Sequence, residues 1–368
     1  MRVRYHNFRT MKQTLHKPSS SFAALLAGLA FLAVAAGISA QRLSPYSLGH
    51  KPSDAPRSFK PFIGEYGSVD APYIVLEDHG RLILRKPNGE QGFLQRRSEG
   101  NFLFPNPERP VSVHFWRADS GSLTASSISI DNVTFLRRRF DPAEGQSFRI
   151  QPARSIDELR QEALSASPPH ENGQFRASDL VDISALDPSI HLDIRYATSN
   201  DFLGTPVYTQ ARAFLQRPAA DALLRALDRL KPYGYALLIH DAYRPWYVTK
   251  IFWDATPPDS KIFVADPKEG SRHNRGCAVD LTLYELETGK PVHMPGTYDE
   301  MSPRSFPDYP GGTALQRWHR DLLRRAMESE GFTVYDHEWW HFDYKDWREY
   351  PILNVPFEKL QFTEKQVR

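Results

Sequence analysis

The sequence contains a single cysteine, Cys277, in 368 residues. One cysteine excludes an intramolecular disulfide framework and any zinc site built from several thiolates. The chain also lacks a surplus of one charge, because 46 Lys and Arg stand against 44 Asp and Glu, a formal net charge of +2. Composition therefore gives no indication of nucleic-acid binding. Hydrophobic residues make up 40% of the chain, enough for a substantial core, and the length suggests two domains.

A long apolar run, Phe22 to Ile38, follows a basic stretch that has no acidic residue. This pattern is typical of a secretory signal peptide, here residues 1–40, with cleavage after Ala40 and a competing site at Val34-Ala35-Ala36. An uncleaved membrane anchor is the alternative, since the run is close to the ~18 residues that span a bilayer. We therefore expect a secreted or periplasmic protein, which would meet a membrane only through this segment if it is uncleaved.

From about residue 58 to residue 150 the sequence alternates apolar and polar residues in short runs. Such alternation predicts β-strands, and the turn residues between the runs, such as Asp78-His79-Gly80, tolerate the positive φ of hairpin turns. The predicted strands are Tyr73–Leu76, Arg81–Arg85, Gly92–Gln95, Val111–Trp116, Ser127–Ile130 and Val133–Leu136. We predict a small antiparallel, barrel-like all-β module of unknown role.

Residues 155–368 alternate between strand and helix patterns, which predicts an α+β domain with a mixed or antiparallel sheet flanked by helices. Ser155 and Glu158 have the spacing of a capping box and predict a short helix through Leu164. The other predicted helices are Gln216–Leu230 and Thr313–Glu330, and the predicted strands are Ile190–Tyr196, Tyr235–His240, Cys277–Leu283 and Phe332–Tyr335. The domain boundary is expected near residue 150.

Two segments of this domain carry residue types that bind metals: Ser271 to Asp280 and Glu338 to Phe342. A catalytic zinc needs about three nitrogen or oxygen ligands, an open position for water and a nearby carboxylate that acts as base. The candidate ligands are His273, Asp280 and His341, with Glu338 as the candidate base.

Strand geometry limits this interpretation. In ideal strands, spacings of seven and three residues put each pair on opposite faces, so both segments must bend, and Gly276 offers the first bend. Spacing alone favours hydrogen-bonded structural residues over a metal site.

The two segments resemble the zinc-binding motifs of the D-alanyl-D-alanine dipeptidases, the family that includes the vancomycin-resistance dipeptidase. Other stretches resemble the family in the same order: Asp193 to Thr198, Asn200 to Gly204 with Val207-Tyr208, Asp241-Ala242-Tyr243-Arg244-Pro245, and Met301 to Ser305. The resemblance covers about residues 155 to 350 and leaves out the β-rich region. The patterns and the resemblance together predict three parts: a signal peptide at 1–40, the β-rich module at 58–150 and, from the resemblance, a zinc D,D-dipeptidase domain at 155–368.

The resemblance also implies roles for individual residues. His273, Asp280 and His341 would bind one Zn²⁺ per chain, Glu338 would be general base and acid, and Arg244 would stabilise the oxyanion, with a structural salt bridge as the alternative role for Arg244. The implied activity is hydrolysis of the small D,D-dipeptide D-Ala-D-Ala to D-alanine. A zinc D,D-carboxypeptidase acting on longer peptidoglycan stem peptides and a non-catalytic cell-wall peptide-binding protein are the alternatives.

Several neighbours of the motif residues have less definite roles. Cys277 stands where the family commonly has a serine, and we expect a small buried side chain there, in preference to a fourth ligand or a reactive thiol. His240 and His337 adjoin motif residues, and because strand neighbours point to opposite faces we expect them to pack or to support a ligand. Trp339 and Trp340 either wall the pocket or pack in the core.

Overall fold

The computed structural model describes residues 49–106, 110–117, 124–140 and 147–360. The predicted signal segment, residues 1–40, lies outside these residues. Within the described residues, no helix has both the length and the apolar character needed to cross a membrane.

Among the described residues, nine strands lie between Gly64 and Leu136 and form two antiparallel sheets, with strand orders β1-β2-β3-β4 and β5-β6-β7-β8-β9. The strands are β1 Gly64–Gly67, β2 Pro72–Asp78, β3 Arg81–Arg85, β4 Gln91–Phe93, β5 Gln95–Ser98, β6 Asn101–Phe104, β7 Val111–Arg117, β8 Ala125–Ile130 and β9 Val133–Leu136. The sequence pattern missed β1, β6 and all of β5 after Gln95, because none of these runs alternates apolar and polar residues: β1 has a glycine at each end, β5 has no apolar residue and β6 has three adjacent apolar residues. The described residues between 49 and 360 belong to one compact unit, so the independence of the β-rich module stays a prediction.

The β-rich region has a hydrophobic core of its own, in which aromatic side chains pack against one another. The Phe115 ring is tilted against the ring of Phe62, with centroids 4.6 Å apart, and meets that of Phe102 edge to face at 5.5 Å. Tyr66 is fully buried beside them, and its hydroxyl donates to the carbonyl of Phe62 at 2.7 Å. These four aromatic side chains therefore form core.

A five-stranded mixed sheet with the order β11-β13-β14-β16-β15 organises the second half of the chain. β11 is parallel to β13 and the other neighbouring strands are antiparallel. The elements are α1 Ile156–Ser165, β10 Leu180–Asp182, β11 His191–Leu192, β12 Phe214–Gln216, α2 Arg217–Leu230, β13 Tyr235–Asp241, α3 Trp246–Ala255, β14 Ala278–Glu285, α4 Ala314–Glu328, β15 Phe332–Tyr335 and β16 Glu338–Tyr344. The predicted α+β class is confirmed for this part.

The two long helices match their sequence patterns closely. In α2, Leu223, Leu227 and Leu230 are fully buried, as their helical spacing predicts. α4 begins with a capping box, because the Thr313 hydroxyl accepts from the backbone N–H of Gln316 and the Gln316 side chain accepts from that of Thr313. Both contacts satisfy N–H groups that have no partner inside the helix.

Two local predictions are wrong in detail. The helix α1 is present, but the Ser155 side chain makes no cap hydrogen bond, and Glu158 lies 3.9 Å from Arg154 in an exposed ion pair instead. The predicted strand Ile190–Tyr196 ends at Leu192. Asp193 still donates its backbone N–H to the carbonyl of Ile239 at 2.8 Å, and its side chain pairs with Arg195 at 2.9 Å. The chain then enters a 3-10 turn, where local contacts replace the sheet ladder.

A glycine substitution tests the backbone that leads into β14. Gly276 has a φ of 66°, and a Cβ there would lie 2.4 Å from Leu180 Cδ2. Gly234 has a similar φ of 84° with no heavy atom within 4 Å of the Cβ position. Gly234→Ala should therefore cost only the left-handed conformation, about 1–2 kcal/mol, while Gly276→Ala should cost about 1–3 kcal/mol more from overpacking. Urea unfolding measures both losses, and equal values would contradict the steric argument.

Candidate metal centre

The three predicted metal ligands meet at one end of the five-stranded sheet. His273 lies in the 3-10 turn His273–Arg275 just before β14, Asp280 lies in β14 and His341 lies in β16. Asp280 and His341 are direct partners in the antiparallel pairing of the two strands. Opposite residues in such a pair project from the same face with their side chains close together, so the register of β14 against β16 brings these ligands together.

Both bends that the sequence required are present. Gly276, in the left-handed conformation, ends the turn that carries His273. In β16 the pairing with β15 shifts from Val334 opposite Phe342 to Tyr335 opposite Glu338. This bulge places extra residues on one strand and changes the direction of their side chains. Glu338 and His341 therefore both line the same cavity, although they are three residues apart.

The three candidate ligand atoms form a small triangle. Asp280 Oδ1 lies 3.3 Å from His273 Nε2 and 3.1 Å from His341 Nδ1, and the two ring nitrogens are 3.1 Å apart. Metal bonds of about 2.0–2.2 Å at tetrahedral angles separate ligand atoms by about 3.3–3.6 Å. The triangle is thus close to the size that one tetrahedral ion requires.

Partners behind each imidazole fix which nitrogen carries hydrogen. His273 Nδ1 lies 2.6 Å from the carbonyl oxygen of Ala242, and His341 Nε2 lies 2.8 Å from Asp343 Oδ1. Carbonyl and carboxylate oxygens accept hydrogen bonds, so these nitrogens are the donors and the lone pairs of His273 Nε2 and His341 Nδ1 point into the triangle. Ligand histidines in metal sites are oriented in this way.

The centre of the triangle lacks a protein donor. Asp280 Oδ1 is buried and has no hydrogen-bond partner among the described residues, while Oδ2 accepts from the hydroxyl of Tyr298 at 3.2 Å. A buried carboxylate oxygen without a donor is costly. Burial raises the pKa of Asp280, but the neighbouring imidazoles of His273 and His341 outweigh it and hold the pKa below its usual range. A cation between these three atoms would satisfy all of them, so the residues fit a metal ion.

Glu338 and Arg244 border the same cavity. Glu338 Oε2 lies 3.6 Å from His341 Nδ1, and burial raises the pKa of this carboxyl group, with a further increase from Asp280. Arg244 follows β13, and its Nη2 lies 3.7 Å from Asp280 Oδ2. The structure thus brings a base and a cation to the edge of the triangle.

Asp241 anchors the guanidinium of Arg244. Its Oδ2 accepts from Arg244 Nε at 2.9 Å and pairs with Nη2 at 2.8 Å, and its Oδ1 accepts from the hydroxyl of Tyr208 at 2.7 Å. Arg244 therefore makes the structural salt bridge that was its alternative role. The same salt bridge holds it against the cavity, so the two roles are compatible.

The cavity measures about 90 Å³ and is lined by charged and aromatic side chains. Asp299 is one of them, a residue with a φ of 60°. Its Oδ1 accepts from the hydroxyl of Tyr196 at 2.9 Å, whereas Oδ2 is buried without a partner among the described residues. Burial raises the pKa of Asp299 well above its usual value, and the charge of Asp280 raises it further.

The structure locates the neighbours of the motif residues for which the sequence left more than one role open. Cys277 is fully buried and lies outside the ligand group, and burial raises the pKa of its thiol to about 12. The His240 ring stacks on Tyr298 with centroids 4.4 Å apart, so it supports a residue that contacts Asp280. Trp339 and Trp340 are both buried in the hydrophobic core, and Trp340 also lines the cavity.

The His337 ring packs against Phe306 and Tyr335, with centroids 5.4 Å and 5.3 Å away, and Tyr335 in turn packs against His341 at 5.5 Å.

Sequence reasoning assigned no role to three residues of this site. Asp343 stands two residues after His341 in β16, and the same-face spacing of a strand could have identified it. Asp241 belongs to the motif Asp241-Ala242-Tyr243-Arg244-Pro245, in which only Arg244 has a role predicted from the sequence. Asp299 lies in an irregular loop with no pattern around it, so no sequence feature identified it.

Comparison with known proteins gives one consistent result. Residues 176–361 match the Peptidase M15 family, described as D-ala-D-ala dipeptidase. The D-alanyl-D-alanine dipeptidase of Escherichia coli K12 is 35% identical over 180 residues, which are 49% of this chain and 92% of that protein. The enzyme of the same name from Enterococcus faecium is 35% identical over 190 residues, 45% of this chain and 93% of that protein. The matched family region begins after the nine-stranded β-rich region.

Substitutions at the ligands test the metal centre. His273→Ala and His341→Ala should each abolish stoichiometric metal binding, because two ligands remain. Asp343→Ala should keep the three ligands but weaken metal affinity about 10- to 100-fold, the usual effect of removing a carboxylate behind a ligand histidine. Asp346→Ala, in the same segment but paired with Arg176, is the matched control. Elemental analysis and competition with a chelating dye measure both effects, and full metal content in both histidine variants would refute the site.

Proposed function

The chain belongs to the D-ala-D-ala dipeptidase family and is a metallopeptidase, and from that premise we propose that it is a secreted zinc enzyme that hydrolyses D-Ala-D-Ala to D-alanine. One observation carries the proposal. Three facing ligand atoms, which need a cation, lie beside a carboxylate and a guanidinium in one small cavity.

The ligand set supports zinc as the metal. Two neutral imidazoles and one carboxylate, His273, His341 and Asp280, are ligands that zinc takes in catalytic sites, where a fourth position stays open. When bound, zinc polarises a carbonyl group and lowers the pKa of water from 15.7 toward ~7.

Glu338 and Arg244 would supply the remaining chemistry. Glu338 borders the cavity, and the raised pKa of its carboxyl group suits a group that takes a proton from water and returns it to the departing amine. Asp241 holds the guanidinium of Arg244 by a salt bridge. The guanidinium would therefore stabilise the oxyanion without first having to move into place.

Asp299 and the small cavity favour a dipeptide. The unpartnered Asp299 Oδ2 would accept the α-ammonium group of the substrate, because a buried carboxylate oxygen gains most from a cationic donor. Drug-sized ligands occupy pockets of about 300–1,000 Å³, so a cavity of about 90 Å³ suits a much smaller molecule.

The two alternatives predict other features. A D,D-carboxypeptidase would have to admit a long stem peptide. The residue before the cleaved bond of such a peptide has an amide instead of a free α-ammonium group, so an ammonium site at Asp299 would have no partner. A cell-wall peptide-binding protein would have no need for Glu338. The site therefore favours the dipeptidase.

The signal-peptide pattern at the N-terminus supports export of the protein from the cytoplasm. We propose that residues 1–40 direct the chain out of the cytoplasm and are removed after Ala40. N-terminal sequencing of the exported protein checks this.

Product analysis tests the proposed activity. The purified protein should release D-alanine from D-Ala-D-Ala and leave a muramyl pentapeptide intact, and a chelator should abolish the release until zinc is restored. Release of D-alanine from the pentapeptide at a similar rate would favour the carboxypeptidase, and binding without release would favour the peptide-binding protein.

Two substitutions separate proton transfer from binding. Glu338→Gln should keep zinc and still bind a phosphinate analogue of the dipeptide, while turnover falls about 10²- to 10⁴-fold because the base is lost. Arg244→Ala should also keep zinc, but it should both slow turnover and weaken the analogue, whose charge imitates the oxyanion. Glu349→Gln, an exposed carboxylate outside the cavity, is the control. Near-normal turnover in Glu338→Gln would assign the base elsewhere, and loss of zinc would make Glu338 a ligand.

A further inference from the structure

The segment between β14 and α4 that comprises residues 295–313, here called the pocket loop, supplies one wall of the cavity. Asp299, Glu300 and Met301 on this loop line the cavity. Apart from the 3-10 turn Pro303–Ser305 the pocket loop has no helix or strand. The position of Asp299 therefore depends on contacts outside any sheet ladder.

The first half of the pocket loop is held by Glu300, which is fully buried. Its Oε2 accepts from the backbone N–H of Thr297 at 3.0 Å, and its Oε1 accepts from the hydroxyl of Ser302 at 2.5 Å. These bonds fix the shape of the loop around Asp299. Other contacts fix where the loop lies relative to the sheet. At its start, the Tyr298 hydroxyl donates to Asp280 Oδ2 of β14 at 3.2 Å, and Asp299 Oδ1 accepts from the hydroxyl of Tyr196 at 2.9 Å.

The second half of the pocket loop is attached to the β-rich region by Arg317 of α4. Arg317 Nη1 donates to the carbonyl oxygens of Gly311 and Gly312 at 3.3 Å and 3.2 Å. Its Nη2 donates to the carbonyl of Glu77 at 3.0 Å and to Asp78 Oδ1 at 3.1 Å. One guanidinium thus joins the end of the loop to the end of β2.

Glu77 adds a second attachment at the same place. Its backbone N–H donates to the carbonyl of Gly312 at 3.0 Å. Its side chain is buried, with Oε2 accepting from the N–H of Ala314 at 3.0 Å and Oε1 from the N–H of Gly80 at 2.6 Å. The carboxylate therefore ties the β2–β3 turn to the first residue of α4, directly after the pocket loop.

Two further contacts join the pocket loop to the β-rich region. Tyr309 is buried, and burial together with the facing carboxylate of Glu65 on β1 raises its pKa well above its usual value. The Arg304 guanidinium lies 5.1 Å from the ring centroid of Phe140, just after β9. The β-rich region thus contacts the loop at three separate points.

We propose that Glu77, Asp78 and Arg317 are positioning residues for substrate binding, and that the β-rich region serves to hold the pocket loop against the cavity. The residues that match the family begin at 176, so Glu77 and Asp78 belong to a part of this chain that the family match does not include. The kinetic part of this proposal rests on the proposed function, because Asp299 is the assigned partner of the substrate ammonium.

Substitutions in the full-length, zinc-loaded protein test the proposal. Glu77→Ala should raise KM for D-Ala-D-Ala about tenfold, the change that corresponds to one charge-assisted hydrogen bond, with kcat within about threefold and zinc content unchanged. Glu77→Gln keeps one of the two acceptor contacts and should give an intermediate KM. Amide hydrogen exchange in the pocket loop should be faster in Glu77→Ala than in the wild type. Glu90→Ala, an exposed β-region carboxylate paired with Lys86, is the control and should match the wild type.

The milder variant Asp78→Asn protects the test against misfolding. The Asp78 side chain is 35% exposed, and its Oδ1 lies 3.1 Å both from Arg317 Nη2 and from Nδ1 of the exposed His79, so the variant should fold and show a smaller rise in KM. An unchanged KM together with unchanged exchange in folded Glu77→Ala and Asp78→Asn would overturn the proposal, as would an equal rise of KM in Glu90→Ala. If the wild type hydrolyses no dipeptide, the proposed function fails, and exchange in the pocket loop still decides whether the β-rich region holds it.

Discussion

The structure depends on one electrostatic constraint: three atoms with lone pairs face one another inside the protein. Asp280 Oδ1, His273 Nε2 and His341 Nδ1 are 3.1–3.3 Å apart, and the carboxylate oxygen has no protein donor. A cation between the three atoms would satisfy all of them, because each atom has been removed from water. A metal ion bound there would therefore contribute to the stability of the folded chain.

Rigid elements around the triangle maintain this geometry. The pairing of β14 with β16 fixes Asp280 opposite His341, and both strands lie inside the five-stranded sheet. The carbonyl of Ala242 and the carboxylate of Asp343 each hold one imidazole from behind. Because these supports come from strand ends and their adjoining turn, the ligands are held more precisely than side chains on a free loop would be.

The other side of the cavity is built differently. Asp299 lies on a loop without a ladder. Tyr298 joins the start of that loop to Asp280 of β14, while Arg317 of α4 and the β-rich region hold its end. The two sides of the cavity therefore have different supports, with strand pairing on the side of the candidate ligands and loop contacts on the side of Asp299. The β-rich region lies outside the family match and contacts a loop that lines the cavity, whereas the three candidate ligands lie inside the match.

The sequence by itself determined the helices α2 and α4, most strands and the candidate ligands, because these follow from periodicity or from short motifs. It also indicated that the backbone must bend at Gly276, since strand geometry forbids the spacing otherwise. Only the tertiary structure decided that Asp343 supports His341, that Arg244 is both salt-bridged and beside the cavity, and that Glu77 lies against the start of α4. Glu77 and Ala314 are 237 residues apart, and no local pattern encodes such a contact, because it arises when separately folded segments pack together.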